Sequence, residues 1–510
     1  MTSKSFSVLL SRLLLRSTPH AGHVLSLQKQ LPYLEKLSTG KAVLLCHVEG
    51  GLLRSSSLFP YFMLVALEAG GLLRALLLLL FYPVICCLGH ESKLRAMVMV
   101  SFCGLRKEEF RLGRTALPKL FLQDVGVEAF EVLRRSEKKV CVSAMPKVMV
   151  EGFLGEYLEV EKVVGMEMKV IGGYYSGLMD EDREAISVLM EELREEDVIG
   201  IGGCPSSLRH HQFLSLCKEV FIVSEREKMK WHVLPRSKSP KPLIFHDGRI
   251  AFRPTPLSTL SMFIWLPFAF LLAVARALVF LSLPYSFSVP LLSFSGMHLR
   301  VIPSSVDVRA GGSHIFISNH RTLLDPLYIS AALGRRVTAT TYSISRLSEL
   351  LSPIRTVRLS RNREQDKALM KRLLEEEESG GGGGGLVVCP EGTTCREPCL
   401  LRFSSLFAEV SREVAPVALQ SWVTVFYGTS TGKLKCLDPF YFLMNPSPSY
   451  AVEFMAKAAT RRVGGRECDS REMANHLQGE IGKVLKFECT SLTRRDKYLV
   501  LAGNEGNACD

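Results

Sequence analysis

Apolar and polar positions divide the chain into blocks of different period. Lys41–His47 (KAVLLCH), Lys139–Ser143 and Val198–Gly203 are short apolar runs of strand length, set between longer stretches of helical period. That alternation predicts an open, Rossmann-like α/β sheet over residues 36–235. The same alternation resumes after residue 291, with HIFIS at His314–Ser318, RTVRLSRNR at Arg355–Arg363 and a β-branched run into Cys389. A second α/β domain is therefore expected over 291–510. Two apolar stretches differ from both. Phe59–Leu88 is broken by Glu68, Gly70, Gly71 and Arg74, so it predicts a helix, a break and a second helix, an apolar insertion over 59–89 in contact with the membrane. Leu257–Leu283 would reach about 40 Å as one helix, against a hydrocarbon core of about 30 Å. Residues 257–290 are expected to be a membrane segment, kinked or hairpinned at Pro267, with Arg276 tilted away from lipid or facing protein.

Composition sharpens this picture. The 510 residues carry a net charge of +12, with a pI near 9.0 and a mean hydropathy of +0.17. A basic chain with long apolar runs suits an anionic bilayer surface rather than nucleic acid. Residues 1–35 have Lys4, Arg12 and Arg16 with no acid before Glu35, and Leu9, Leu10, Leu13 and Leu14 on one helical face. This amphipathic segment fits a membrane-surface anchor or a mitochondrial transit peptide. The anchor is the expectation, with the endoplasmic reticulum ahead of the mitochondrion. Residues 236–256 are proline-rich and basic, a linker along the headgroups with a tight Asp247-Gly248 turn. The low-complexity run Glu375–Gly385 reads as a flexible loop. The 14 scattered cysteines predict reduced thiols and no metal site.

The chemistry concentrates in three places. Ser318–Pro326 (SNHRTLLDP) holds His320 and Asp325 with four residues between them. An imidazole oriented by a carboxylate is what a general base for a hydroxyl requires. Residues five apart point about 140° away from each other on a regular helix, so contact requires a strand-to-helix junction. In Val387–Arg396 (VVCPEGTTCR) a strand runs into Glu391, Gly392 and Thr393. The glycine lets backbone approach a ligand, and the hydroxyl sits beside amides that could bind phosphate. Between them, a period of two in Arg355–Arg363 puts Val357 and Leu359 on one face and Arg358 on the other.

These blocks in this order, with Val414-Ala415-Pro416-Val417 as a fourth, resemble the glycerolipid acyltransferase superfamily. YSISRLSELLSPIRTVRLSR, CPEGTTCREPCLLRFS and LTRRDKYLVLAGNEG are similar to the land-plant glycerol-3-phosphate acyltransferases over nearly the whole chain. The resemblance implies acyl transfer from acyl-CoA to a hydroxyl, sn-2 in that branch, of glycerol 3-phosphate, giving lysophosphatidic acid at a bilayer without a cofactor. It makes His320 the base and Asp325 its partner. It assigns the acceptor's phosphate to Arg361, with Arg358 as rival, and to Glu391, Gly392 and Thr393, with Arg396 as a further ligand. Attack is expected to be direct, without an acyl-enzyme on Cys389, Cys395 or Cys399. The alternatives are a lysophosphatidic acid acyltransferase and a non-catalytic membrane scaffold.

His47-Val48-Glu49-Gly50-Gly51 closes the first strand and looks like the first motif of haloacid-dehalogenase-type phosphatases, with His47 and Glu49 where two aspartates are needed. Ser143 holds the place of their phosphate-contacting hydroxyl. Gly203–Ser206 lacks the acids that would bind Mg²⁺, and His210-His211 reads as a solvated face rather than a ligand pair. A phosphatase-like domain kept for structure is expected.

Overall fold

The computed structural model describes residues 42–181, 183–203, 216–302, 314–342, 349, 352–379, 384–432, 435–463 and 466–505. The expectations for 1–35 and for His210-His211 lie outside these residues. The chain forms two compact units: residues 1–243 with 253–260, and residues 244–252 with 261–510.

In the first unit the three predicted strands become β1 (Val43–His47), β2 (Lys138–Pro146) and β5 (Val198–Gly203). They are joined by β3 (Lys162–Ile171), β4 (Tyr174–Glu181) and β6 (Glu219–Val223). The order is β4-β3-β2-β1-β5-β6, parallel except for the β3–β4 pair. The run from 59 divides as expected, into helices Phe59–Glu68 and Leu72–Cys87, because Gly71 takes φ +80° between them. Their environments differ from each other. Phe59 through Leu67 are all buried, so the first helix is core of this unit rather than a membrane contact. The second leaves Leu73, Leu77, Leu80, Phe81 and Val84 exposed.

The second unit is built on a sheet in the order β10-β9-β11-β8-β13-β14-β7. Its strands are β7 (His298–Ile302), β8 (Ile315–Ser318), β9 (Thr338–Thr341), β10 (Arg355–Arg358), β11 (Leu386–Val388), β13 (Glu413–Trp422) and β14 (Ser449–Phe454). The two-residue strand β12 (Cys399–Leu400) pairs apart from it with residues 488–489. Strands β8 to β11 are mutually parallel, so their carboxyl ends share one edge. Ile315, Ile317, Leu386, Val388 and Val414 pack under Met473, Leu477 and Ile481 of the Ser470–Leu485 helix.

Pro256–Ser282 is a single 27-residue helix with Pro267 inside it, long and apolar enough to cross a membrane. Ile264, Phe268, Phe270, Leu271 and Leu278 are exposed along it. Arg276 faces protein. Its buried guanidinium donates to the carbonyls of Leu443, Asn445, Ser295 and Pro446, of which Leu443 and Asn445 are buried with it. The expected linker also departs from its reading: residues 244–252 belong to the second unit, where His246 is buried. The Asp247-Gly248 turn is present, with Gly248 at φ +102°.

Candidate active site

His320 and Asp325 meet because the chain leaves β8 before it enters a helix. Asp325 is the first residue of the Asp325–Leu333 helix, and Pro326, lacking an amide hydrogen, suits the position after it. The six residues from 319 to 324 form the bend. Asn319 anchors its start, donating Nδ2–H to the Leu419 carbonyl at 2.9 Å and accepting the Leu419 amide at 2.8 Å. A fully buried Asn used in this way joins β8 to β13 where their backbone ladder ends.

The Asp325 carboxylate is fully buried and accepts from four sides. Arg321 N lies 2.5 Å and His320 Nδ1 2.8 Å from Oδ2, with Thr322 N at 3.0 Å and Tyr450 Oη at 2.5 Å from Oδ1. A carboxylate that only accepts fixes the hydrogen on Nδ1, which leaves Nε2 with a lone pair. The His320 side chain keeps 16% of its surface open. Burial lowers its pKa, but the neighbouring Cys389 and the Asp325 carboxylate outweigh burial and raise it well above the ordinary histidine value.

Glu391 sits differently from its sequence reading. Its carboxylate is buried, one oxygen accepting the His320 amide at 2.7 Å and the other the Leu401 amide at 2.8 Å. Both oxygens are therefore directed at backbone rather than at a ligand, and burial pushes the carboxyl up to about 7. The His320 carbonyl in turn accepts the Cys395 amide. Gly392 has φ +65° with open space where a Cβ would lie, so glycine serves the turn here rather than a close approach within the chain. Arg321 donates to the carbonyls of Cys395, Arg396 and Glu397 at 2.7 to 2.8 Å, clamping the far side of this loop.

The remaining expected ligands divide. Arg361 follows β10 at the shared carboxyl edge. Its backbone is left-handed at φ +69°, held by a 2.9 Å bond from its amide to buried Asp366. Its side chain is exposed. Arg358 is exposed and paired to Glu349 at 3.0 Å. Strand β10 is three positions from β8, about 14 Å at the usual strand spacing. Arg396 is nearly buried. It donates Nε–H to Thr429 Oγ1 at 2.7 Å, reaches Asp247 at 3.5 Å and lies over the Tyr427 ring at 4.4 Å. A cavity of about 280 Å³ opens beside Arg396, Arg321, Thr322, Trp422 and Phe487.

The Cys389 sulfur lies within 4.8 Å of both an imidazole nitrogen and an Asp325 oxygen. The thiol also lies within hydrogen-bonding reach of the His320 side chain. The three groups are close enough for one metal ion to bridge them. However, the carboxylate is already filled by four donors and Nδ1 is committed to it, so this donor set does not suit a metal.

The glycerol-3-phosphate acyltransferase RAM2-like, HAD-like domain family matches residues 43–223, and the Acyltransferase family matches 286–421. Probable glycerol-3-phosphate acyltransferase 3 of Arabidopsis thaliana is 51% identical over 91% of this chain and 90% of its own. Glycerol-3-phosphate acyltransferase 1 of the same plant is 45% identical, over 90% and 81%. Glycerol-3-phosphate acyltransferase RAM2 of Petunia hybrida is 39% identical, over 90% and 97%. The chain belongs to the plant glycerol-3-phosphate acyltransferases.

In this acyltransferase the phosphatase-like unit has turned its acid inward. Glu49 Oε1 accepts Ser143 Oγ at 2.6 Å and the amides of Ala144 and Met145 at 2.9 and 3.1 Å. His47 Nδ1 accepts the Gly50 amide, so the hydrogen is on Nε2, 3.4 Å from the other Glu49 oxygen. Burial, then the nearby Lys228 charge, lowers His47 to about 3, which keeps it neutral. A Cβ on Gly50 would lie 2.3 Å from Gly203 N, so β5 closes over the motif. The Ser143 hydroxyl and the two amides therefore share Glu49 Oε1 as their acceptor, while Oε2 is buried with only the His47 contact.

Four residues at the acyltransferase site escaped the sequence reading: Arg321, Asn319 as a structural link, Tyr450 and Lys497. Arg321 and Asn319 flank His320, and adjacency was the available signal. Tyr450 lies on a half-buried strand, and Lys497 in a hydrophilic helix. Nothing local marks either.

Proposed function

We propose that this acyltransferase moves an acyl group from acyl-CoA to the sn-2 hydroxyl of glycerol 3-phosphate and releases lysophosphatidic acid still phosphorylated. The observation that carries the reading is the His320 Nδ1–Asp325 bond at 2.8 Å on a carboxylate anchored by three further donors. Membership in a family whose relatives are named for acylating this acceptor supports the choice of substrate. Nε2 takes the hydroxyl proton as the oxygen attacks the thioester carbonyl. Asp325 supports the imidazolium that forms, and the proton passes to the departing thiolate. Such a base contributes about 10²- to 10⁴-fold. The acceptor's phosphate is assigned to the shared strand edge, with Arg361 free to reach it and Gly392 and Thr393 across from it. Glu391 acts by holding His320 and the 391–401 loop. No cofactor beyond the thioester co-substrate is needed. The length and apolarity of the Pro256–Ser282 helix support a bilayer location, the endoplasmic reticulum by this reading, where an acyl product can leave into lipid.

The test is product analysis on membranes containing the chain, given labelled glycerol 3-phosphate and acyl-CoAs, beside His320→Ala. Lysophosphatidic acid from the wild type and none from the variant is the expected result. Monoacylglycerol, with no other phosphatase present, would contradict the phosphorylated product. Equal transfer by both proteins would remove His320 from the chemistry.

A further inference from the structure

Lys497 is a buried cation with no carboxylate in ion-pair range among the described residues. It lies in the Arg494–Ala502 helix with only 7% of its surface open. Its ammonium donates to the Thr394 carbonyl at 2.5 Å, Thr394 Oγ1 at 3.1 Å and Thr393 Oγ1 at 3.3 Å. All three acceptors belong to the Glu-Gly-Thr-Thr loop, and all three are neutral. Burying a cation among neutral oxygens is costly, and the fold alone does not require it here. The carbonyl could be satisfied by a neutral donor.

The hydrogen bonds suggest what the charge does. A hydroxyl oxygen that accepts from an ammonium must direct its own hydrogen elsewhere. Lys497 thus turns Thr393 and Thr394 into donors. It also adds a positive charge behind a loop whose Gly392 faces open space. A group with two or more negative oxygens is the complement of such an arrangement. We propose that Lys497 is a positioning residue of the acyl-acceptor site, orienting the Thr393 and Thr394 hydroxyls toward the acceptor's phosphate and supplying the buried charge that binding neutralises. The inference rests on the acyltransferase reading given above.

The surroundings give it a pH signature. Burial, joined by the Arg396 and Lys435 cations and opposed by Cys395 and Asp247, lowers the Lys497 pKa to about 8. On its own helix, Arg494 stacks on Tyr498, whose hydroxyl accepts from Lys435. His246 and Glu397 pair with each other near Arg396. The ammonium is present below about pH 8 and lost above it, so affinity for the acceptor should fall on the alkaline side.

The full chain in membranes or detergent is assayed with glycerol 3-phosphate and acyl-CoA from pH 7 to 9.5, beside Lys497→Met. In the wild type, KM for glycerol 3-phosphate should rise above pH 8 while KM for acyl-CoA stays level. K497M should raise the acceptor KM by about 10²-fold at pH 7, the scale of a misplaced binding group, and remove the alkaline rise. A wild-type acceptor KM that is flat across this range overturns the proposal even if K497M does not fold. So does a variant with both KM values unchanged, or with both raised alike. A wild type that makes no lysophosphatidic acid at any pH refutes the acyltransferase reading itself, and this inference falls with it.

Discussion

Glu391→Gln separates a residue that holds the site from one that binds substrate. The carboxylate accepts the His320 amide at 2.7 Å and the Leu401 amide at 2.8 Å. A glutamine has one acceptor oxygen, so its NH₂ must face one of these N–H groups. The loss is one bond to a charged acceptor, about 1.5–3 kcal/mol. At about 2–4 °C per kcal/mol for a unit of this size, Tm should drop by about 3–12 °C. Whichever amide is abandoned, either His320 or the loop over it shifts, and kcat should fall about 10²-fold with little change in KM for glycerol 3-phosphate. Burial raises the Glu391 carboxyl to about 7. The folded state then holds this proton more tightly than the unfolded chain, so wild-type stability should decline as pH rises from about 4.5 to 7. E391Q should lack that decline. Thermal unfolding followed by tryptophan fluorescence, with steady-state kinetics on the same preparation, reads all three. An unchanged Tm with an acceptor KM raised alone would refute the structural role and restore Glu391 as a phosphate ligand.

Two further outcomes follow from the same geometry. Since His320 titrates above the ordinary histidine value and a base must be unprotonated, kcat/KM should climb on a limb above pH 6.5. Asp325→Asn should move that limb to lower pH and lower its plateau by about 10²- to 10⁴-fold; an unmoved limb assigns it to another group. In the first unit, Glu49→Ala leaves Ser143 Oγ and two buried amides without their acceptor, at about 1–3 kcal/mol for each that water does not reach. Calorimetry should show a destabilised transition, with acyl transfer intact and no phosphate released from lysophosphatidic acid. Phosphate release would show that the cradle still works.

What was legible in the sequence is what short-range pattern encodes. Val198–Gly203 is predicted and found with the same bounds, because a run of small and β-branched residues buried on both sides has no alternative period. The break at Gly70-Gly71 was visible, and Arg276 marked either a tilt or a protein contact, because glycine and charge are conspicuous in apolar runs. The burial of Phe59–Glu68 was not. A core helix and a lipid-facing helix present the same letters, and only what packs around them differs. Site residues divide the same way. The His320–Asp325 contact follows from a strand ending before a helix begins. The partners of Glu391 and Lys497 are backbone amides, carbonyls and hydroxyls, to which no residue type at a fixed spacing corresponds.

The two acids Glu49 and Glu391 show why motif letters alone misassign roles. Each follows a parallel strand at its carboxyl end, where α/β sheets place chemistry, and each accepts backbone amides: Ala144 and Met145 for Glu49, His320 and Leu401 for Glu391. They differ in what lies on the other side of the bond. For Glu49 the partners are the Ser143 hydroxyl and the amides beside it, so the acid takes up these donors itself. For Glu391 the partners are the backbone of the base and the far end of its loop, so the acid leaves the ligand space empty and braces its walls. A carboxylate has no hydrogen to offer an anionic phosphate and would repel one. On the reading proposed above, Arg361 at the strand edge and Lys497 beneath the loop meet the acceptor's charge.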